Sequence, residues 1–140
     1  MDAVLEAVIK DVNASLPERK LVVLIERTNL SADTKALLTD MARITIKIGG
    51  KILAIGRKML SFVFDLIKAF PTITVGIITA LVLTSMIAGI PLLGGVLASA
   101  LGSLLLLLGV GAGVLNDFTN SKLSERIDAL VSSFSALVEV

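Results

Sequence analysis

Cysteine, histidine, tryptophan and tyrosine are all missing from this 140-residue chain, and each absence closes a class of chemistry. Without cysteine there is no disulfide framework and no thiolate nucleophile. Without histidine there is no imidazole base and no histidine–cysteine metal site. Lack of cysteine is compatible with any redox compartment. Charge is scarce too: 18% of the residues are charged, against the usual quarter, while 55% are hydrophobic and the mean hydropathy is +0.94. A domain of this length has a large surface for its volume, and too few charges remain to cover it. The net charge of +1 gives no general attraction to nucleic acid, so no nucleic-acid partner is expected.

The N-terminus, MDAVLEAVIKDVNASLPERK, is not read as a secretory signal, because acidic residues come early and no continuous apolar run follows a basic start. A membrane route would use an internal segment or a dedicated secretion system. Val4, Leu5, Val8, Ile9, Val12 and Leu16 recur at the spacing of an amphipathic helix. In SLPE, Ser15 is placed as an N-cap, Pro17 in the first turn and Glu18 three residues after the cap, a capping box that predicts a second helix from Leu16 to Thr28. The five apolar residues Leu21 to Ile25 leave a short strand open there. TNLSAD marks a break, with Ser31 capping the next helix.

From Arg43 to Phe70, polar residues form a narrow stripe that includes Arg43, Lys47, Lys51, Arg57, Lys58 and Lys68, and nearly everything between them is apolar. A helix apolar over most of its circumference with a basic edge predicts an in-plane interfacial helix whose cations meet anionic head groups. A core helix with one solvated edge is the alternative. Gly49 and Gly50 predict a kink or a start, and Pro71 closes the segment.

No charge occurs from Ala69 to Asn116, a run of 48 residues. One membrane span needs about 20 apolar residues to cross about 30 Å of hydrocarbon. The run therefore predicts two spans, 72–90 and 93–115, joined at AGIPLLGG around Pro91. Gly76, Ala80, Thr84 and Ala88 in the first span, and Ala98, Gly102, Gly109 and Gly113 in the second, stand four apart. Rows of small residues let helices pack closely in lipid, although such residues are common in any membrane helix. Basic residues flank the run on both sides and none lies in its turn. If the hairpin is inserted by its own cell, the positive-inside rule puts both termini on the cytoplasmic side, and the expected location is a bacterial inner membrane. After the run, Leu123, Ile127, Leu130, Phe134 and Leu137 make a short heptad seam for self-association, for a protein partner, or for packing on the N-terminal helices.

No constellation carries catalysis. The carboxylates are scattered, GVGAG at Gly109 to Gly113 lacks the lysine of a phosphate loop, and the spans hold no charge for proton or ion coupling. No enzyme activity, cofactor or metal is expected. Ion passage through an oligomer could use the hydroxyls of Thr74, Thr79, Thr84, Ser85, Ser99 and Ser103.

The uncharged Gly/Ala/Leu hairpin with its Pro/Gly turn, followed by GVLNDFTNSKLSERI, resembles the end of colicin-type pore-forming domains across roughly 72–127, about two fifths of the chain. Those domains are helical bundles that hide such a hairpin and then insert it. This chain has fewer covering helices and a longer tail, so the resemblance implies permeabilisation and not the whole toxin. The expected architecture is an all-α membrane protein with a two-span transmembrane helical hairpin flanked by amphipathic helices. Its parts are an N-terminal amphipathic region (1–42), a basic interfacial helix (43–70), the hairpin (71–116) and a C-terminal amphipathic helix (117–140). The expected function is a homo-oligomer that permeabilises or forms a pore in a bilayer, as a toxin, holin or defence effector. The alternatives are a non-enzymatic membrane anchor or scaffold and a small subunit of a transport or secretion complex.

Overall fold

The structure, a computed structural model, describes residues 3–48, 50–89, 103–104 and 121–134. The helices are α1 (Ala3–Asn13), α2 (Glu18–Glu26), α3 (Ala32–Ala42), α4 (Ile55–Ala69), α5 (Val75–Gly89) and α6 (Ser121–Ser133). Between α3 and α4 stands an antiparallel hairpin of β1 (Ile46–Ile48) and β2 (Lys51–Leu53).

The hairpin corrects the all-α expectation. Ile44, Ile46 and Ile48 alternate with Thr45 and Lys47, the period of a strand, and Gly50 stands in the turn just before β2. Gly50 has φ +78°, where a side chain would be strained. Ile46 pairs with Leu53 and both are buried, whereas Lys47 pairs with Ile52 and both are exposed. Segment 43–70 is therefore a helix end, a hairpin and a helix, and not one interfacial rod.

Helix α4 is the hub. Ile55, Gly56, Met59, Leu60, Val63, Phe64 and Leu66 are buried along it, and α1, α2, α3 and α5 all pack against it. Its first turn has no side-chain cap. Instead the Gly56 amide donates to the carbonyl of Ile44 at 3.0 Å, tying α4 to the chain leaving α3. A Cβ at Gly56 would overlap the Met41 carbonyl oxygen and stand 2.9 Å from its carbon.

Helix starts elsewhere follow local chemistry in one case and not in another. Ser31 caps α3, its hydroxyl accepting from the Thr34 amide at 3.2 Å. The capping box expected at Ser15 does not form. The Ser15 hydroxyl turns back to donate to the carbonyl of Val12 in α1, and α2 begins after Pro17 without a side-chain cap.

The two-span hairpin is also corrected. Among the described residues no helix is long and apolar enough to cross a membrane. Helix α5 has 15 residues, about 22 Å at about 1.5 Å per residue, short of about 30 Å of hydrocarbon. It packs on α4 and on α6. The second expected span, 93–115, lies outside the described residues except at 103–104, where Leu104 is buried in the same core.

The glycines give a graded test of this packing. Gly56→Ala should lower the urea midpoint by the equivalent of about 3 kcal/mol or more, because backbone must move. Gly50→Ala, with open space around it, should cost only the strain of its φ, about 1–2 kcal/mol. Equal midpoints for the two variants would contradict the approach of α4 to Met41.

Candidate functional site

The most distinctive element is α5, which carries no charge and is apolar around its whole circumference. Its start follows from Thr74, whose hydroxyl accepts from the Ile77 amide at 3.3 Å while its carbonyl accepts from Ile78 at 3.1 Å. Ile78, Thr79, Ala80, Val82, Leu83 and Met86 are buried. The Thr79 hydroxyl spends its hydrogen bond inside its own helix, donating to the Val75 carbonyl at 2.7 Å.

Helix α6 covers part of α5. The seam residues Leu123, Ile127, Leu130 and Phe134 are buried, while Lys122, Glu125, Arg126 and Asp128 are exposed. Leu137 lies outside the described residues. The seam thus serves packing within the chain, on α5, where the N-terminal helices were the intramolecular alternative. At Gly89 the two helices come close enough that a Cβ would press on Val131 Cγ1 and stand 3.6 Å from Val131 Cβ.

The small-residue row does not coincide with this packing. Ala80 is buried and Gly76 half-buried, but Thr84 and Ala88 are exposed; Ala98, Gly102, Gly109 and Gly113 lie outside the described residues. The row circles away because residues four apart drift by about 40° per step on a helix of 3.6 residues per turn.

The basic stripe is dispersed by the hairpin. Arg43, at the end of α3, pairs with Glu18 of α2, donating from Nε to Oε1. That hydrogen bond first, and the Glu18 charge second, raise the Arg43 pKa above its ordinary value despite slight desolvation, with Asp40 adding to the effect. The guanidinium stays cationic at any working pH. Lys58 Nζ meets Asp11 at 3.0 Å. Lys47 and Lys51 are exposed on the hairpin, and Lys68 is exposed in the last turn of α4.

Arg57 instead joins a polar clamp that sequence patterns do not announce. Its Nη1 donates to the carbonyls of Ser15 and Leu16, and its Nη2 to that of Asn13, each at 3.4 Å. These carbonyls end α1 and begin the turn into α2, the place where a cation suits the helix dipole. Asn13 adds a peptide-like pair of bonds, donating to Ile52 O at 3.0 Å and accepting from the Ala54 amide at 2.9 Å. The Leu16 amide donates to Ser61 Oγ at 3.1 Å. Partners separated by 39 to 45 positions leave no periodic signal.

Among the described residues no group of three or more metal-ligating side chains comes together, and no buried side-chain nitrogen or oxygen lacks a partner. In comparison with known proteins, no family model, no curated protein and no solved structure matches the chain.

The clamp should show as coupling. Asn13→Ala leaves the Ala54 amide and Ile52 carbonyl without their partner and should cost about 1–2 kcal/mol. A double-mutant cycle with Arg57→Ala should give a coupling energy of about 0.5 kcal/mol or more, measured by urea unfolding. Strict additivity would mean that the two side chains act separately.

Proposed function

We propose that the protein permeabilises membranes, and that this fold is the form in which its uncharged helix is sheltered before it meets a bilayer. The observation that carries the reading is α5 itself: a helix without charge, apolar on every side, packed between elements that are amphipathic. Exchanging a protein core for hydrocarbon costs such a helix little, because lipid tails are as apolar as its packing partners. Its backbone bonds are internal, and Thr79 carries its own hydrogen bond to Val75 with it. The resemblance of 72–127 to colicin-type hairpins points the same way.

The cysteine-free chain allows a direct test. Val131 Cβ lies 3.6 Å from where a Cβ would stand at Gly89, within the range of a disulfide, and replacing Val131 removes the obstructing methyl. The double variant Gly89→Cys/Val131→Cys would tether α5 to α6. Oxidised, it should release dye from vesicles at least about tenfold more slowly than after reduction. Equal release in both redox states, or tight vesicles with the wild-type protein at high protein-to-lipid ratio, would defeat the proposal.

A further inference from the structure

Lys47, Lys51 and Lys68 of the 43–68 stripe make no ion pair among the described residues, and a second group of such cations lies outside the stripe. On α2, Leu21 and Ile25 are buried, whereas Arg19, Lys20 and Arg27 are exposed around Val23, which keeps 47% of its surface in solvent. With Leu24 and, from α4, Lys68, they line an open groove of about 580 Å³. Among the described residues none of these four cations makes an ion pair. Of the acids of α2, Glu18 pairs with Arg43, and Glu26 lines not this groove but a separate hollow with Lys35 and Asp40. Asp65, one turn before Lys68, makes no ion pair with it and does not line this groove.

We infer that this face of α2, with Lys68, is the surface that docks on an anionic lipid bilayer. Four cations on one patch are the number at which basic clusters bind acidic head groups, and exposed Val23 with half-buried Leu24 supplies the apolar centre that enters the head-group layer. Charge complementarity excludes a neutral surface, and the long Arg and Lys stems let their heads spread toward phosphates while their methylenes cover the groove. The assignment rests on the membrane-acting reading for its partner, but it concerns attachment and not leakage. It replaces five of the six residues of the stripe with Arg19, Lys20 and Arg27, and retains Lys68.

Sedimentation with vesicles tests it. The wild-type protein should pellet with vesicles containing about one third phosphatidylglycerol, not with pure phosphatidylcholine, and added salt should release it. Each neutralised cation should weaken binding about fivefold, so Arg19→Gln/Lys20→Gln/Arg27→Gln should weaken it about a hundredfold at unchanged helicity. Lys47→Gln/Lys51→Gln on the hairpin should change it less than threefold. Unchanged binding by the triple variant, or a loss as large in the hairpin variant, overturns the assignment. So does full displacement by inorganic phosphate at matched phosphate concentration, which would make the groove a small-anion site. Preference for polyglutamate over anionic vesicles would assign it to an acidic protein and equally overturn it. Dye release is read separately: vesicle binding that depends on α2 with no leakage would sink the permeabilising function while leaving the docking surface standing.

Discussion

Helix α4 cannot bury its apolar half-cylinder without drawing four other helices around it. Seven of its fifteen residues are buried, from Ile55 to Leu66, and no single neighbour is wide enough to cover them. Helices α1, α2 and α3 take three parts of the surface, and α5 takes a fourth. Burying a large aliphatic or aromatic side chain is worth about 1.5–3 kcal/mol, so this one helix supplies much of the drive for assembly. At Gly56 the approach to α3 is so close that only a hydrogen fits beside the Met41 carbonyl.

The polar features follow from that placement. Once α4 lies across the end of α1, Arg57 meets carbonyl oxygens that have no intrahelical donor, and Asn13 meets the outer edge of β2. Both are contacts between backbone ends that would otherwise be open to water. A two-stranded hairpin is marginal alone. Here Leu53 and Ile46 are buried on one face while α1 secures the edge strand.

The same arrangement explains how one chain can hold an uncharged helix and still present a charged surface. Helix α5 packs on α4 and is covered by α6, whose polar residues face outward. Arg43, Lys58 and Arg57 of the 43–68 segment hold the fold through Glu18, Asp11 and the carbonyls after α1, while Lys47, Lys51 and Lys68 and the cations Arg19, Lys20 and Arg27 make no ion pair among the described residues. Charge that stabilises the fold and charge available to a partner are thus separated by tertiary structure.

Periodicity alone determined the helical face of α1, the cap at Ser31, the break at Pro71, and the α6 seam of Leu123, Ile127, Leu130 and Phe134, because those depend on neighbours within about one turn. The hairpin was hidden by arithmetic: Arg43, Lys47 and Lys51 stand four apart, an interval that suits one face of a helix and, being even, one face of a strand. Ser15 was hidden by competition, since its hydroxyl had two backbone targets within reach and took the carbonyl of the preceding helix. The partners of Arg43, Arg57 and Lys58 lie 25 to 47 positions away, so only the folded chain could select them. The composition of α5 required an apolar surrounding, and by itself could not distinguish lipid from protein, because both present the same hydrocarbon to an uncharged helix. Only the tertiary structure names the neighbours, α4 and α6, that supply part of that surrounding in the described fold.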